Sequence, residues 1–257
     1  RGTRVITELP PYGSTIVAID ETKAFQKPKP VTISRRDVIT LLDEWDFKAI
    51  DPNVLWLDDW KMGINVTGSS QVMTYTTKFG CDFIPKKLML MLDDIEYRSS
   101  LMGSMDLVVK VNDKIFNNPD YGTYLDSGFK TLDISSAVTI GSNILRVVIT
   151  HSPWAGQPQF MNAPPALIGD FTCSRDRKVI MPPTEAVMKG SWTEYGYPFY
   201  SGTVEYSQGF RPPKLGKNTR LIVKVEDVKD CFEVLVDGKS AGVRLWSPWE
   251  IDITNFV

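Results

Sequence analysis

The chain has 257 residues, 42% hydrophobic and 23% charged, enough to bury the cores of two ordinary domains. Its 29 Lys and Arg are interspersed with 31 Asp and Glu for a net charge of −2, which excludes the basic surface that non-specific nucleic-acid binding needs. No run approaches the ~18 apolar residues of a membrane helix, so no membrane partner is expected.

Residues 3–8 and 14–19 read as two short strands around Leu9-Pro10-Pro11-Tyr12-Gly13, a strong turn signal. With Lys27-Pro28-Lys29-Pro30 as an extended linker, residues 1–30 are expected to be the end of a preceding β-domain. The chain opens on Arg1-Gly2-Thr3 without Met or a signal peptide, and the expectation is a fragment of a longer protein.

A first module is expected over 31–176. Residues 37–47 fit a short helix or a strand, because Val38, Leu41, Leu42 and Trp45 keep helical spacing. Residues 73–79 alternate and predict a strand. The run Leu88–Leu92 suits a strand buried on both faces. Residues 107–111 and 114–116 flank Asn112-Asp113 as a hairpin, 143–150 form a β-branched strand, and 153–165 is a long Pro-, Gly- and Asn-rich loop. Residues 167–173 are the expected closing strand.

A second module is expected over 177–257, with strands at 203–210, 220–225, 232–236 and 240–245. Asp237-Gly238 is its hairpin signal, since Gly accepts the positive φ of a type I′ turn. No long amphipathic helix is visible. The predicted class is all-β, in two antiparallel β-sandwich modules.

The two modules share three features in the same order. Tyr75 to Phe79 matches Tyr206 to Phe210, Val111-Asn112-Asp113-Lys114 matches Val236-Asp237-Gly238-Lys239, and Leu132-Asp133-Ile134-Ser135 matches Ile251-Asp252-Ile253-Thr254. In each tail a short acid precedes a hydroxyl by two residues, a pattern that bonds local amides and ends a strand. The first tail is followed by Gly141-Ser142-Asn143 and a long strand. The second module is expected to lack that closing strand, with a further segment or another chain filling the place.

Gly196-Tyr197-Pro198-Phe199-Tyr200-Ser201-Gly202-Thr203-Val204-Glu205-Tyr206, Glu233 to Val243 and Trp249 to Thr254 together resemble a jelly-roll, galactose-binding-like domain. Such sugar-binding domains occur in glycoside hydrolase family 2 and in large bacterial hydrolases of the α-L-rhamnosidase type. Asp237 departs from the usual Asn, and the first module has no Ser-Gly before Tyr75. The resemblance implies a non-catalytic accessory β-sandwich segment of a secreted or periplasmic glycoside hydrolase. It would be joined to the catalytic domain of the same polypeptide, with carbohydrate as a partner. The alternative is a stand-alone carbohydrate-binding or cell-surface adhesion module.

The residues themselves nominate no catalytic or metal site, and no cofactor is expected. Neighbouring carboxylates such as Asp58-Asp59 and Asp93-Asp94 would point to opposite faces of a strand. The single His151 has no partner motif, and Asp120, Asp126 and Asp170 lack calcium-loop spacing. Three Cys make no disulfide framework, although a Cys81–Cys173 bridge is open. Asn65-Val66-Thr67 fits a glycosylation pattern. Aromatic rings stack on the apolar face of a sugar, and Trp154, Trp56, Trp60, Tyr197 and Trp246 are the candidate carbohydrate contacts.

Overall fold

The computed structural model describes residues 36–93, 106–117, 121–151, 163–174, 176, 178–187 and 190–257. The strands expected at 3–8 and 14–19, the linker and residues 152–162 with Trp154 lie outside the described residues. The chain divides into two units, one of residues 41–208 and one that includes 209–257. Both are built of strands, so the all-β class holds.

In the first unit the strands are β1 (Trp45–Ala49), β2 (Asn53–Trp56), β3 (Lys61–Thr67), β4 (Ser70–Cys81) and β5 (Leu88–Asp93). They continue with β6 (Asp106–Val111), β7 (Lys114–Asn117), β8 (Gly122–Tyr124), β9 (Asp126–Asp133) and β10 (Gly141–His151). Then come β11 (Ala166–Gly169), β12 (Thr172–Cys173), β13 (Val179–Met181), β14 (Ala186–Val187) and β15 (Val204–Ser207). A seven-stranded sheet runs β12-β13-β4-β10-β6-β7, with β3 also on β4. A five-stranded sheet runs β2-β11-β5-β9-β8, and β14-β1-β15 make a third.

Alternation places the core. Along β10, Asn143, Leu145, Val147, Ile149 and His151 are buried while the residues between them are part-exposed. Across the register Leu145 meets Val111 on one side and Thr77 on the other, and Val147 meets Val109 and Tyr75. The opposing sheet supplies Leu55, Leu57, Leu88, Leu90, Leu92, Leu132 and Leu167 to the same cluster. The result is a sandwich-like body with one apolar layer between two sheets. A fully buried Leu or Val contributes about 1.5–3 kcal/mol here.

Sequence expectations at 73–79, 88–92, 107–111, 114–116 and 143–150 correspond to β4, β5, β6, β7 and β10. The ambiguous segment 37–47 contains the start of a strand, β1, and no helix. Phe47 on β1 is buried and Lys48 is exposed, the alternation of a strand. Residues 167–173 do not form one strand. The chain turns at Asp170-Phe171 and passes from the five-stranded sheet to the seven-stranded one.

The expected module boundary near residue 177 is corrected by strand pairing. β13 runs parallel to β4 through Val179↔Gly80 and Ile180↔Cys81. β14 and β15 flank β1, with Tyr206 opposite Phe47. Residues up to Gln208 therefore belong to the first unit. With them goes the third match of the repeat. Tyr75 is a core residue of β4, whereas Tyr206 lies 42% exposed on β15.

Residues 209–257 hold β16 (Ile222–Lys224), β17 (Phe232–Val236), β18 (Lys239–Arg244) and β19 (Glu250–Asp252). β16 pairs with β19 and β17 with β18, as two ribbons. The β17–β18 turn is the expected hairpin, with Asp237 at φ 49° and Gly238 at φ 75°.

Candidate functional site: an aromatic sheet face

The five-stranded sheet is apolar on both sides. Leu88, Leu90 and Leu92 of β5 face the core, and Met89 and Met91 face outward. The run 88–92 is thus a strand with two apolar faces, as its composition suggested. Register sets the outer face in rows. Trp56 lies beside Ala166, which lies beside Met91; Val54 lies beside Ile168, which lies beside Met89. Tyr124 of β8 and Phe129 of β9 pack against the same cluster. Met91, Ala166 and Ile168 are buried beneath it, while Trp56, Tyr124, Phe129 and Met89 stay part-exposed.

A shell of polar contacts fixes this face at the β2 end. Asn53, 1% exposed, donates from Nδ2 to the carbonyls of Phe171 and Gly196, both at 2.9 Å. Asp51 N–H donates to Tyr200 Oη at 3.1 Å, and that hydroxyl donates to the Thr203 carbonyl at 2.5 Å. Thr203 N–H donates to Asp51 Oδ2 at 2.7 Å. Gly202 is needed here, because a Cβ would stand 2.7 Å from Asp51 Oδ2 and 2.8 Å from its Cβ. Gly202, the glycine of the Ser201-Gly202 pair, thus has a packing cause. Burial first, and then the neighbouring Asp51 carboxylate, push the Tyr124 phenol above its ordinary value.

The five nominated aromatics fall in different places. Trp56 belongs to the outer face. Trp60 packs on the main core and donates from Nε1 to the Leu57 carbonyl at 3.0 Å. Tyr197 is 2% exposed, with its ring centroid 5.2 Å from Phe47 and 5.6 Å from Tyr200. A ring enclosed in that way offers no stacking face, so Tyr197 is corrected to a core residue. Trp246, in the other unit, is 37% exposed. Trp154 lies outside the described residues. Tyr124, Phe129 and Met89 were not nominated; the signal for Met89 was its place between the core leucines of β5, whereas Tyr124 and Phe129 lie on β8 and β9, outside that run.

The acidic candidates resolve differently from the strand argument. Asp58 and Asp59 lie between β2 and β3, in a loop where Asp59 has φ 52°, and both carboxylates reach Lys178 Nζ. They converge after all, on a cation. Asp126 Oδ1 accepts from Gly128 N–H at 2.7 Å as a local turn. His151 is buried at the end of β10. Among the described residues no group of three or more His, Cys, Asp or Glu is placed to hold a metal ion. A cleft of about 270 Å³ is lined by Asp82, Ser174, Asp176, Val179 and Met181. No ring lines it, so it lacks the flat apolar surface on which a sugar stacks. No helix among the described residues is long and apolar enough to cross a membrane.

The repeated tails are structural. Asp133 Oδ1 accepts from Ser135 N–H at 2.9 Å and from Ser135 Oγ–H at 2.6 Å. Asp252 Oδ1 does the same with Thr254, at 3.0 and 2.5 Å. Each hydroxyl oxygen then accepts from a backbone amide, Leu88 N–H at the start of β5 at 2.8 Å and Leu221 N–H just before β16 at 2.9 Å. A short 3-10 turn follows both, over Ser135–Ala137 and Thr254–Phe256. These acids end strands and lock corners, as their spacing suggested. Comparison with protein-family models, curated proteins and solved structures finds no match for this chain.

Proposed function

We propose that the chain is a non-catalytic accessory β-sandwich segment of a secreted or periplasmic glycoside hydrolase, of the jelly-roll, galactose-binding-like type. It supports a catalytic domain of the same polypeptide and contacts carbohydrate. The observation that supports the reading best is the outer face of the five-stranded sheet. Trp56, Tyr124 and Phe129 are part-exposed, and the strand rows beneath them are buried and hydrogen-bonded. Rings held on a sheet lose little freedom when a sugar stacks on them, and Tyr adds a polar edge.

The test is binding without turnover. The full chain should bind immobilised glycans saturably and should not hydrolyse aryl glycosides. Turnover that disappears on a single Asp or Glu substitution overturns the accessory reading. Absence of binding across a broad glycan panel overturns the carbohydrate contact.

A further inference from the structure

The repeat extends from sequence to geometry, and it exposes a difference. Aligning the two hairpins puts Leu107, Val109 and Val111 of β6 at the positions of Phe232, Val234 and Val236 of β17. Aligning the two corners puts Leu88, Leu90 and Leu92 of β5 at those of Leu221, Val223 and Val225. In the first unit Leu107 is 6% exposed and the other five are fully buried. In the second unit all six counterparts are only half-buried. The corner residues themselves do not differ: Ile251 and Ile253 are as buried as Leu132 and Ile134.

The first unit shows what closes these positions. β10 lies antiparallel on β6, with Leu145 opposite Val111, Val147 opposite Val109 and Ile149 opposite Leu107. The turn residue fastens it. Asn112 N–H donates to the Ile144 carbonyl at 2.8 Å, and Ile144 N–H donates to Asn112 Oδ1 at 2.9 Å. Asn112 Nδ2 donates to Asn143 Oδ1 at 2.8 Å. In the second unit β17 pairs with β18 alone among the described residues. Asp237 stands where Asn112 does, also with positive φ, and is exposed.

We propose that the edge of β17 left unpaired among the described residues is a strand-acceptor site. Its occupant is an extended polypeptide segment with an apolar residue at every second position, laid antiparallel on Phe232–Val236 as β10 lies on Leu107–Val111. Edge addition satisfies the unpaired amides and carbonyls, and the alternating side chains cover the half-buried stripe. Asp237 sets a further requirement. A carboxylate accepts the segment's first strand amide as Asn112 Oδ1 does, but it has no N–H to give. The segment therefore carries a hydrogen-bond donor, such as an Asn amide, at the position of Asn143.

The probe is a synthetic peptide with the sequence of residues 142–151, added to the full chain. Hydrogen exchange read by mass spectrometry should slow over 232–236, saturably. Replacing the peptide's residues at positions 145, 147 and 149 by Ser should abolish the effect. Asp237→Gly keeps the turn conformation and removes the carboxylate, and should weaken binding by about tenfold, the scale of a charge-assisted hydrogen bond. Asp237→Asn should bind as well as the parent chain. Four results overturn the proposal. They are no protection of 232–236, equal protection by the Ser-substituted peptide, and protection confined to 107–111 by exchange with β10. The fourth is concentration-dependent protection of 232–236 without peptide, which assigns the edge to a second copy of the chain.

Discussion

Asn112 and Asn143 are bonded side chain to side chain, Nδ2 to Oδ1 at 2.8 Å, and the pair ties the β6–β7 turn to the first residues of β10. Asn143 is fully buried and also donates from Nδ2 to the Thr139 carbonyl at 2.8 Å, while its Oδ1 accepts from Thr139 N–H at 2.9 Å. Asn112 donates a second time, to the Ala137 carbonyl at 2.9 Å. Each buried group therefore has a partner whose loss leaves another group unpaired.

Asn143→Ala should accordingly lower stability by about 2–4 kcal/mol, since several buried polar groups lose their partners together. Chemical denaturation of the variant and parent measures it. A loss below about 0.5 kcal/mol would show that water replaces the side chain at no cost.

The acid corners give a pH-dependent prediction. The Ser135 hydroxyl first, and its amide with it, holds the Asp133 carboxyl below the usual carboxylate value. Thr254 does the same for Asp252. A carboxyl depressed in the folded state contributes stability that is present above its unfolded value of about 3.9 and is lost as pH falls through the folded value. Ser135→Ala should cost about 1–2 kcal/mol at neutral pH, because Leu88 N–H also loses its acceptor. The part of the loss owed to Asp133 should shrink below pH ~4 as the carboxylates protonate. Thermal melts from pH 7 to pH 2 follow it; a gap that widens toward low pH contradicts the assignment.

Strands buried by alternation were legible in the sequence. β4, β6 and β10 follow period two because one face meets the core, and local turn chemistry marked both hairpins. The corner acids were legible because their bonds span two residues. Strands of two to four residues, β13, β14 and β15, were misassigned or unseen. Their places are set by long-range pairing with β4 and β1, which no local window contains. The same holds for the aromatics. Tyr197 and Trp56 look alike in sequence, and only the packing of Phe47 and Tyr200 around the first separates core ring from surface ring.

The three cysteines are free, Cys81 and Cys173 buried and Cys231 exposed. Burial pushes the Cys173 thiol up to about 12, and burial raises Cys81 as well. The thiolate is the nucleophile, so both buried thiols are neutral and unreactive at pH 7–8. An aromatic disulfide reagent should label one thiol in the native chain, at Cys231, and the two further thiols only in denaturant. Peptide mapping identifies the sites. Denatured protein that releases only one thiol without reductant would instead reveal a Cys81–Cys173 bridge.

The aromatic face separates binding from stability through two tryptophans four residues apart, Trp56 and Trp60. Trp56 is part-exposed over Ala166 and Met91, while Trp60 is held on the core by its Nε1 bond to Leu57. Trp56→Ala should weaken glycan binding by about 1 kcal/mol or more, the scale of one aromatic contact. Trp60→Phe keeps an aromatic ring and removes one donor, so it should lower stability by about 1 kcal/mol and leave binding unchanged. Tyr197→Phe should leave binding unchanged too, since its ring is enclosed. Isothermal titration against a bound glycan, paired with denaturation curves, reads both quantities on each variant. If Trp56→Ala binds like the parent chain while Trp60→Phe does not, the sugar-contacting surface lies at the Trp60 end of the core and the outer sheet face is only a packing surface.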